Sequence, residues 1–133
     1  MLYYHVWFSP KRRRAILEGE IAKVAREGLL DTARVNGIGL IECETSYDHV
    51  HLVVALNEQQ NLASVMHQLK GASAHRVFQH MPELKLDLKD VSLWQRGYGH
   101  RKVEPAELPR VRQYVRGHRE EPEPRVFNPR VGQ

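Results

Sequence analysis

Two histidines stand two residues apart in His49-Val50-His51, inside the run Asp48-His49-Val50-His51-Leu52-Val53-Val54. Such an apolar run reads as a β-strand, whose side chains alternate between faces. His49 and His51 therefore share one face, while Val50, Leu52, Val54 and Leu56 point to the core. Two imidazoles on a rigid strand face can hold a metal ion. About sixty residues on, Leu108 to His118 reads as a helix with Leu108, Val111 and Val115 on its packing side. Tyr114 and His118, four residues apart, then stack one turn above the other. That pairing offers a phenolic nucleophile beside a third imidazole. A phenol with a pKa of about 10 attacks poorly until a cation or a base activates it. Each element alone has an ordinary explanation: a chain with eight histidines produces H-x-H by chance, and a tyrosine often edges an amphipathic stripe. Together they define a candidate centre.

The elements that must position these groups are legible from periodicity. Residues 3–9 read as a strand, and Arg14 to about Gly28 as a helix, because Leu17, Ile21 and Val24 recur at helical spacing and Gly28 offers a stop. Gly37–Glu44 and His49–Leu56 read as strands joined by Thr45-Ser46-Tyr47-Asp48, a connection of hairpin length. Asn61 is a good N-cap for a second helix with Leu62, Val65, Met66 and Leu69 on its apolar face, and Pro82 closes that region. Leu93–Val103 reads as a fourth strand, bulged near Gly97-Tyr98-Gly99, before Pro105 opens the tyrosine helix. The order β-α-β-β-α-β with an added C-terminal helix is an α+β, ferredoxin-like arrangement: one antiparallel sheet with two helices on one face. The other face is left for His49 and His51, where the added helix can lay Tyr114.

Composition bounds the rest. The 133 residues suit one domain, expected over 1–119, with 120–133 as a mobile tail because Pro122 and Pro124 interrupt any helix there. No stretch is apolar enough to span a bilayer, and the N-terminus lacks a signal pattern, so a cytoplasmic protein is expected. The single Cys43 reads as a reduced core thiol. A net charge of +4 is modest, but Lys11, Arg12, Arg13 and Arg14 form an unbroken cationic run. Arg96 lies beside Trp94 and Tyr98, and Lys70, Ser73 and Arg76 share one side of the second helix. Basic groups neutralise phosphates and aromatics stack on unpaired bases, which makes Lys11–Arg14, Lys70, Arg76, Trp94 and Arg96 candidate nucleic-acid contacts. Solvated surface, and a core or interface place for the aromatics, are the competing readings.

A hydrophobic residue between two strand histidines, with a later helix carrying tyrosine and a ligand-type residue four positions on, resembles the HUH endonucleases. Motif order and length are similar to the single-tyrosine transposases of small bacterial insertion sequences and their repeat-associated domesticated relatives. The likeness runs from Tyr4 to about His118, through Ser9-Pro10-Lys11-Arg12-Arg13-Arg14, Tyr47 to Val54, Leu69 to Arg76 and Leu93 to Tyr98. It implies a divalent cation, Mn or Mg, held by His49, His51 and His118, and Tyr114 as the nucleophile that forms a 5′-phosphotyrosine on single-stranded DNA hairpins. It also implies a homodimer, often with tyrosine helices exchanged between subunits. One departure is that the family usually carries Gln or Asn where this chain has His118. Two other functions fit the residues: a noncatalytic nucleic-acid-binding module, and a metal-dependent nuclease in which water attacks and Tyr114 only positions substrate.

Overall fold

The computed structural model describes residues 1–88 and 92–120. Strand alternation builds a four-stranded antiparallel sheet from β1 (Leu2–Phe8), β2 (Gly39–Ser46), β3 (His49–Leu56) and β4 (Gly99–Val103), in the order β2-β3-β1-β4. Val6, Phe8, Val50, Leu52, Val54 and Leu56 belong to the larger core cluster, which takes in residues of α1 (Gly19–Val35) and α2 (Leu62–His80). Val53 and Val103 form a second cluster with Val111 and Val115 of α4 (Leu108–Arg116), flanked by Tyr3, Ile41 and Tyr114. The sheet is thus covered on both faces, by the α1–α2 layer on one and by the added helix on the other. This is the ferredoxin-like architecture with a C-terminal helix that the periodicity predicts.

Several boundaries differ from the sequence reading, each for a physical reason. The first helix starts at Gly19 rather than Arg14 and runs through Gly28 to Val35. Gly28 is not a stop. It is buried, and a Cβ there would sit 3.1 Å from Ser73 Cα, so its missing side chain lets α1 and α2 approach closely. The helix ends where Asn36 donates its side-chain amide to Thr32 O at 2.8 Å and Gly37 takes a positive φ of 66°. Asn61 does cap α2, accepting from Ser64 N at 2.9 Å, and a short helix not foreseen, α3 (Glu83–Leu88), follows Pro82.

The β2–β3 connection is shorter than expected, because the strands continue to Ser46 and resume at His49, leaving only Tyr47 and Asp48 in the turn. The fourth strand is limited to Gly99–Val103. Residues 93–97 are instead stitched to the segment after β1: Lys11 N donates to Leu93 O and Gln95 N to Ser9 O, both at 2.8 Å. Lys70 Nζ completes the anchorage by donating to Gln95 O (2.8 Å) and Gly97 O (2.6 Å). Pro105–Glu107 forms a 3-10 turn with a reciprocal Glu104–Glu107 capping box ahead of α4, and His118 falls in a second 3-10 turn beyond it. Cys43 is buried in the larger core, as expected. No helix of the described residues is long and apolar enough to cross a membrane. The expected C-terminal tail lies outside the described residues, apart from Glu120.

Candidate active site

Strand alternation and one ion-pair clamp create the site. β3 turns His49 and His51 toward the face that α4 covers, and antiparallel pairing sets Trp7 of β1 opposite His51 and His5 opposite Val53. Val111 and Val115 bury the inner stripe of α4 against Val53 and Val103. At the rim, Glu42 of β2 accepts from Arg112 Nε at 2.8 Å and Arg116 Nε at 2.9 Å. Burial alone would raise the Glu42 pKa, but the hydrogen bonds and charges of Arg116 and Arg112 outweigh it and leave the carboxyl below its ordinary value. Carried on this docked helix, the Tyr114 ring lies 4.7 Å from His118, 5.9 Å from His5 and 6.1 Å from His51, centroid to centroid. His51 and His118 are 3.9 Å apart, and His49 stands 5.9 Å from His51. The expected groups Tyr114, His49, His51 and His118 therefore gather on one face.

The hydrogen bonds of the three imidazoles follow one pattern. His49 Nδ1 lies 2.6 Å from Asp48 Oδ1, and Arg13 Nη2 lies 2.7 Å from His49 Nε2. A guanidinium only donates, so His49 accepts at Nε2 and carries its proton at Nδ1. His118 Nδ1 lies 3.1 Å from the carbonyl oxygen of Tyr114, an acceptor only, so Nδ1 is the protonated nitrogen there as well. His51 Nδ1 contacts His5 Nε2 at 3.0 Å. In each ring Nδ1 is engaged by a neighbour, so a ligand role would fall to Nε2, which in His49 meets Arg13; engagement of the other ring nitrogen is how metal-binding histidines are oriented. Burial, reinforced by the nearby His118, His5 and His49, holds the His51 pKa well below its ordinary value, so its imidazole is neutral at physiological pH. Burial, then Arg101 and His118, bring His5 down to about 4.

In kind, three imidazole nitrogens fit a borderline divalent cation. Among the described residues no three His, Cys, Asp or Glu donors converge on one point as they stand, and Arg13 sits at the nitrogen His49 would give. A cation would displace that guanidinium, which is well exposed and also lies 3.8 Å from Asp48 Oδ2.

The candidate nucleic-acid residues divide into two groups. Arg12 and Arg13 are exposed in the 3-10 turn Lys11–Arg13, both at positive φ, 60° and 53°. Non-glycine residues held at positive φ store local strain, and such strain clusters at functional sites. Lys11 of the same turn lines a groove of about 620 Å³ between α2 and residues 92–98, together with His67, Lys70, Trp94, Arg96 and Tyr98. None of the described lining residues is acidic. One basic turn thus touches both the groove and the histidine site. The remaining candidates have internal partners. Lys70 anchors the Gln95 and Gly97 carbonyls, Trp94 is 6% exposed and donates to Ser73 Oγ at 3.0 Å, and Arg76 pairs with Asp31 at 2.7 Å. Arg14, half-buried, follows the turn.

Sequence reasoning missed His5, Asp48 as a partner of His49, and Glu42. The signal for His5 was available: alternation puts Tyr3, His5 and Trp7 on one face of β1, and an antiparallel neighbour with H-x-H brings that face to the histidines.

Comparison with known proteins agrees with this geometry. Residues 1–118 match the family model for IS200-like transposases. The ISDra2 transposase TnpA of Deinococcus radiodurans is 39% identical over 97 residues, 73% of this chain and 69% of that protein. The transposase for insertion sequence element IS200 of Salmonella typhimurium is 28% identical over 95 residues, 71% of this chain and 62% of its own. A crystal structure of a transposase from Deinococcus radiodurans superposes with a TM-score of 0.71 at 31% identity, covering 87% of this chain and 89% of that one. A REP-associated tyrosine transposase bound to a REP hairpin shares the fold, with a TM-score of 0.63 at 13% identity over 85% of this chain and 63% of its own. With a family model spanning nearly the whole chain and a relative this similar over most of its length, the protein belongs to the IS200-like, single-tyrosine HUH transposases.

Proposed function

We propose that this transposase cleaves single-stranded DNA through Tyr114 and rejoins strands by transesterification. The observation that carries the reading is the gathering of Tyr114 with three imidazoles, each engaged at Nδ1, on one sheet face. Tyr114 Oη attacks the phosphorus, the Oη–P bond forms and the P–O3′ bond breaks. The phenolic proton leaves, and the 3′ oxygen gains a proton to end as a free hydroxyl. Later attack by a 3′-hydroxyl on the 5′-phosphotyrosine reverses the bond exchange, so no ATP is needed. His49, His51 and His118 would hold the cation through Nε2. When bound, it supplies Lewis acidity at a phosphate oxygen and lowers the cost of charge developing on the leaving group. The docked α4 holds the nucleophile in register, and effective concentration does the remainder.

Lys11, Arg12 and Arg96, around the groove whose described lining carries no acid, are the proposed backbone contacts, with Arg13 moving to phosphate once His49 is engaged. Lys70 and Trp94 shape the groove through their internal bonds, and Arg14 and Arg76, neither of which lines it, are proposed as weaker contacts. The substrate is proposed to be a DNA hairpin, as for the REP-hairpin-bound relative, and the working form a homodimer in the cytoplasm. The test is incubation of labelled single-stranded hairpins with Mn, followed by denaturing electrophoresis. Wild type should give a protein-linked fragment, and Tyr114→Phe should give none while still binding DNA. Cleavage retained in Tyr114→Phe would favour water as the nucleophile. Binding by wild type with no cleavage at all would favour the noncatalytic module.

A further inference from the structure

Resting on the metal-site reading above, we propose that His5 is a positioning residue: it holds the His51 ring and fixes its tautomer, so that His51 Nε2 faces the cation. His5 is 1% exposed and comes from β1, a different strand from the ligands. Its Nε2 lies 3.0 Å from His51 Nδ1, and the two rings stack at 5.3 Å with 26° between planes. The same ring meets Trp7 at 5.1 Å and, edge-on, Tyr114 at 5.9 Å. One buried side chain therefore touches a ligand on one side and the nucleophile's ring on the other. A polar group buried this deeply needs a partner that justifies its place, and the His51 contact is of that kind.

The three candidate ligands differ in what engages Nδ1. For His49 it is a carboxylate and for His118 a main-chain carbonyl, both acceptors only, so those tautomers are set whatever the surroundings. For His51 it is another imidazole, which can donate or accept. His51 presents a lone pair at Nε2 only when Nδ1 carries the proton and His5 Nε2 accepts it. The proton at His51 Nδ1 is thus tied to the tautomer of His5. An imidazole acceptor also orients His51 without adding a carboxylate's negative charge to a pocket that must admit a phosphate. Ligand partners of this kind tune affinity without touching the metal.

The test is Mn titration of the full chain without DNA, followed by the paramagnetic signal of free Mn and by calorimetry, with thermal melts as the control for folding. His5→Leu keeps apolar bulk but loses the acceptor and should weaken Mn binding by about 10- to 100-fold. His5→Gln places an acceptor oxygen near the former Nε2 and should recover most of that loss. Equal affinity in wild type and a folded His5→Leu overturns the proposal, as does a His5→Gln as weak as His5→Leu, which would make the role one of packing. A readout independent of any variant comes from long-range ¹H–¹⁵N spectra of the metal-free wild type. His51 protonated at Nδ1 supports the proposal, and His51 protonated at Nε2 overturns it. His49→Ala separates the two levels of the argument. If wild type binds no Mn, or His49→Ala binds it equally well, the metal site itself is refuted, and the spectra still decide the His5–His51 tautomer.

Discussion

Replacing Glu42 by Gln tests how the tyrosine helix is held. Glu42 is 10% exposed at its side chain, whereas its partners Arg112 and Arg116 are 38% and 58% exposed, so solvent screens both pairs. The Arg112 pair is then worth about 0.5–1 kcal/mol, and the more exposed Arg116 adds to the same carboxylate from the solvent side. The apolar anchor is larger: full burial of Val111 and Val115 contributes on the order of 1.5–3 kcal/mol each, as an upper bound. Glu42→Gln should therefore leave α4 docked but open more often. A loss of about 0.5–1 kcal/mol raises the open population roughly 2- to 5-fold. The assay is amide hydrogen exchange of α4 at pH 7, variant against wild type at the same pH, with the protection ratio read directly as that factor.

The pH dependence follows from the sign of the shift. The folded Glu42 pKa lies below its ordinary 4.5, so the clamp's stability is fully present above about 4.5 and is lost as pH falls through the lowered folded value. The exchange ratio between variant and wild type should therefore shrink toward one on acidification, and high salt should also reduce it. Unchanged α4 exchange at pH 7 would refute the clamp. A ratio that persists in acid would show that Glu42→Gln acts by some route other than charge.

Two further outcomes are expected. Three imidazoles favour Mn over Mg, so wild type should form its covalent DNA adduct better with Mn, and His118→Gln should move the preference toward Mg. Equal or better cleavage by wild type with Mg at matched concentrations counts against His118 as a ligand. Trp94→Phe removes a buried hydrogen bond to Ser73 Oγ and should lower stability by about 1–2 kcal/mol with Mn affinity unchanged; an unaltered melting temperature would show that this bond does not stabilise the fold.

The histidine strand was legible because alternation is a strong signal, and His49–Leu56 forms the strand the pattern required. Asn61 was equally legible, since an N-cap acts through its own side chain. The misread features depend on partners distant in sequence. Gly28 looks like a stop until Ser73, forty-five residues on, is seen to press against it. The segment 93–97 has strand composition, yet its hydrogen bonds go to Ser9, Lys11 and Lys70 instead of a ladder. Lys70 and Trp94 also read as contacts for DNA, and their internal partners could not be seen because sequence records a side chain's chemistry and not its existing partner. The face of β1 that carries His5 was legible from alternation, but its contact with His51 depends on the register of β1 on β3.

The register and the α4 contacts together show how the site is assembled within one chain. In this chain α4 completes the site on its own sheet, through Val111, Val115 and the Glu42 clamp. In the exchanged dimer that the family resemblance implies, the same residues meet the same partners on a neighbouring copy, so the docking face contributes equally to both forms. The balance then rests on the connection between β4 and α4. Glu104 is extended and leads into the turn closed by the Glu104–Glu107 capping box, with Arg101 paired to Glu107 at 3.4 Å. Were the helices exchanged between two copies, the change of path would fall at Val103–Glu104, between the last ladder residue and the capping box, and stiffening or loosening that link would then change the proportion of exchanged dimer without altering the geometry of the histidines.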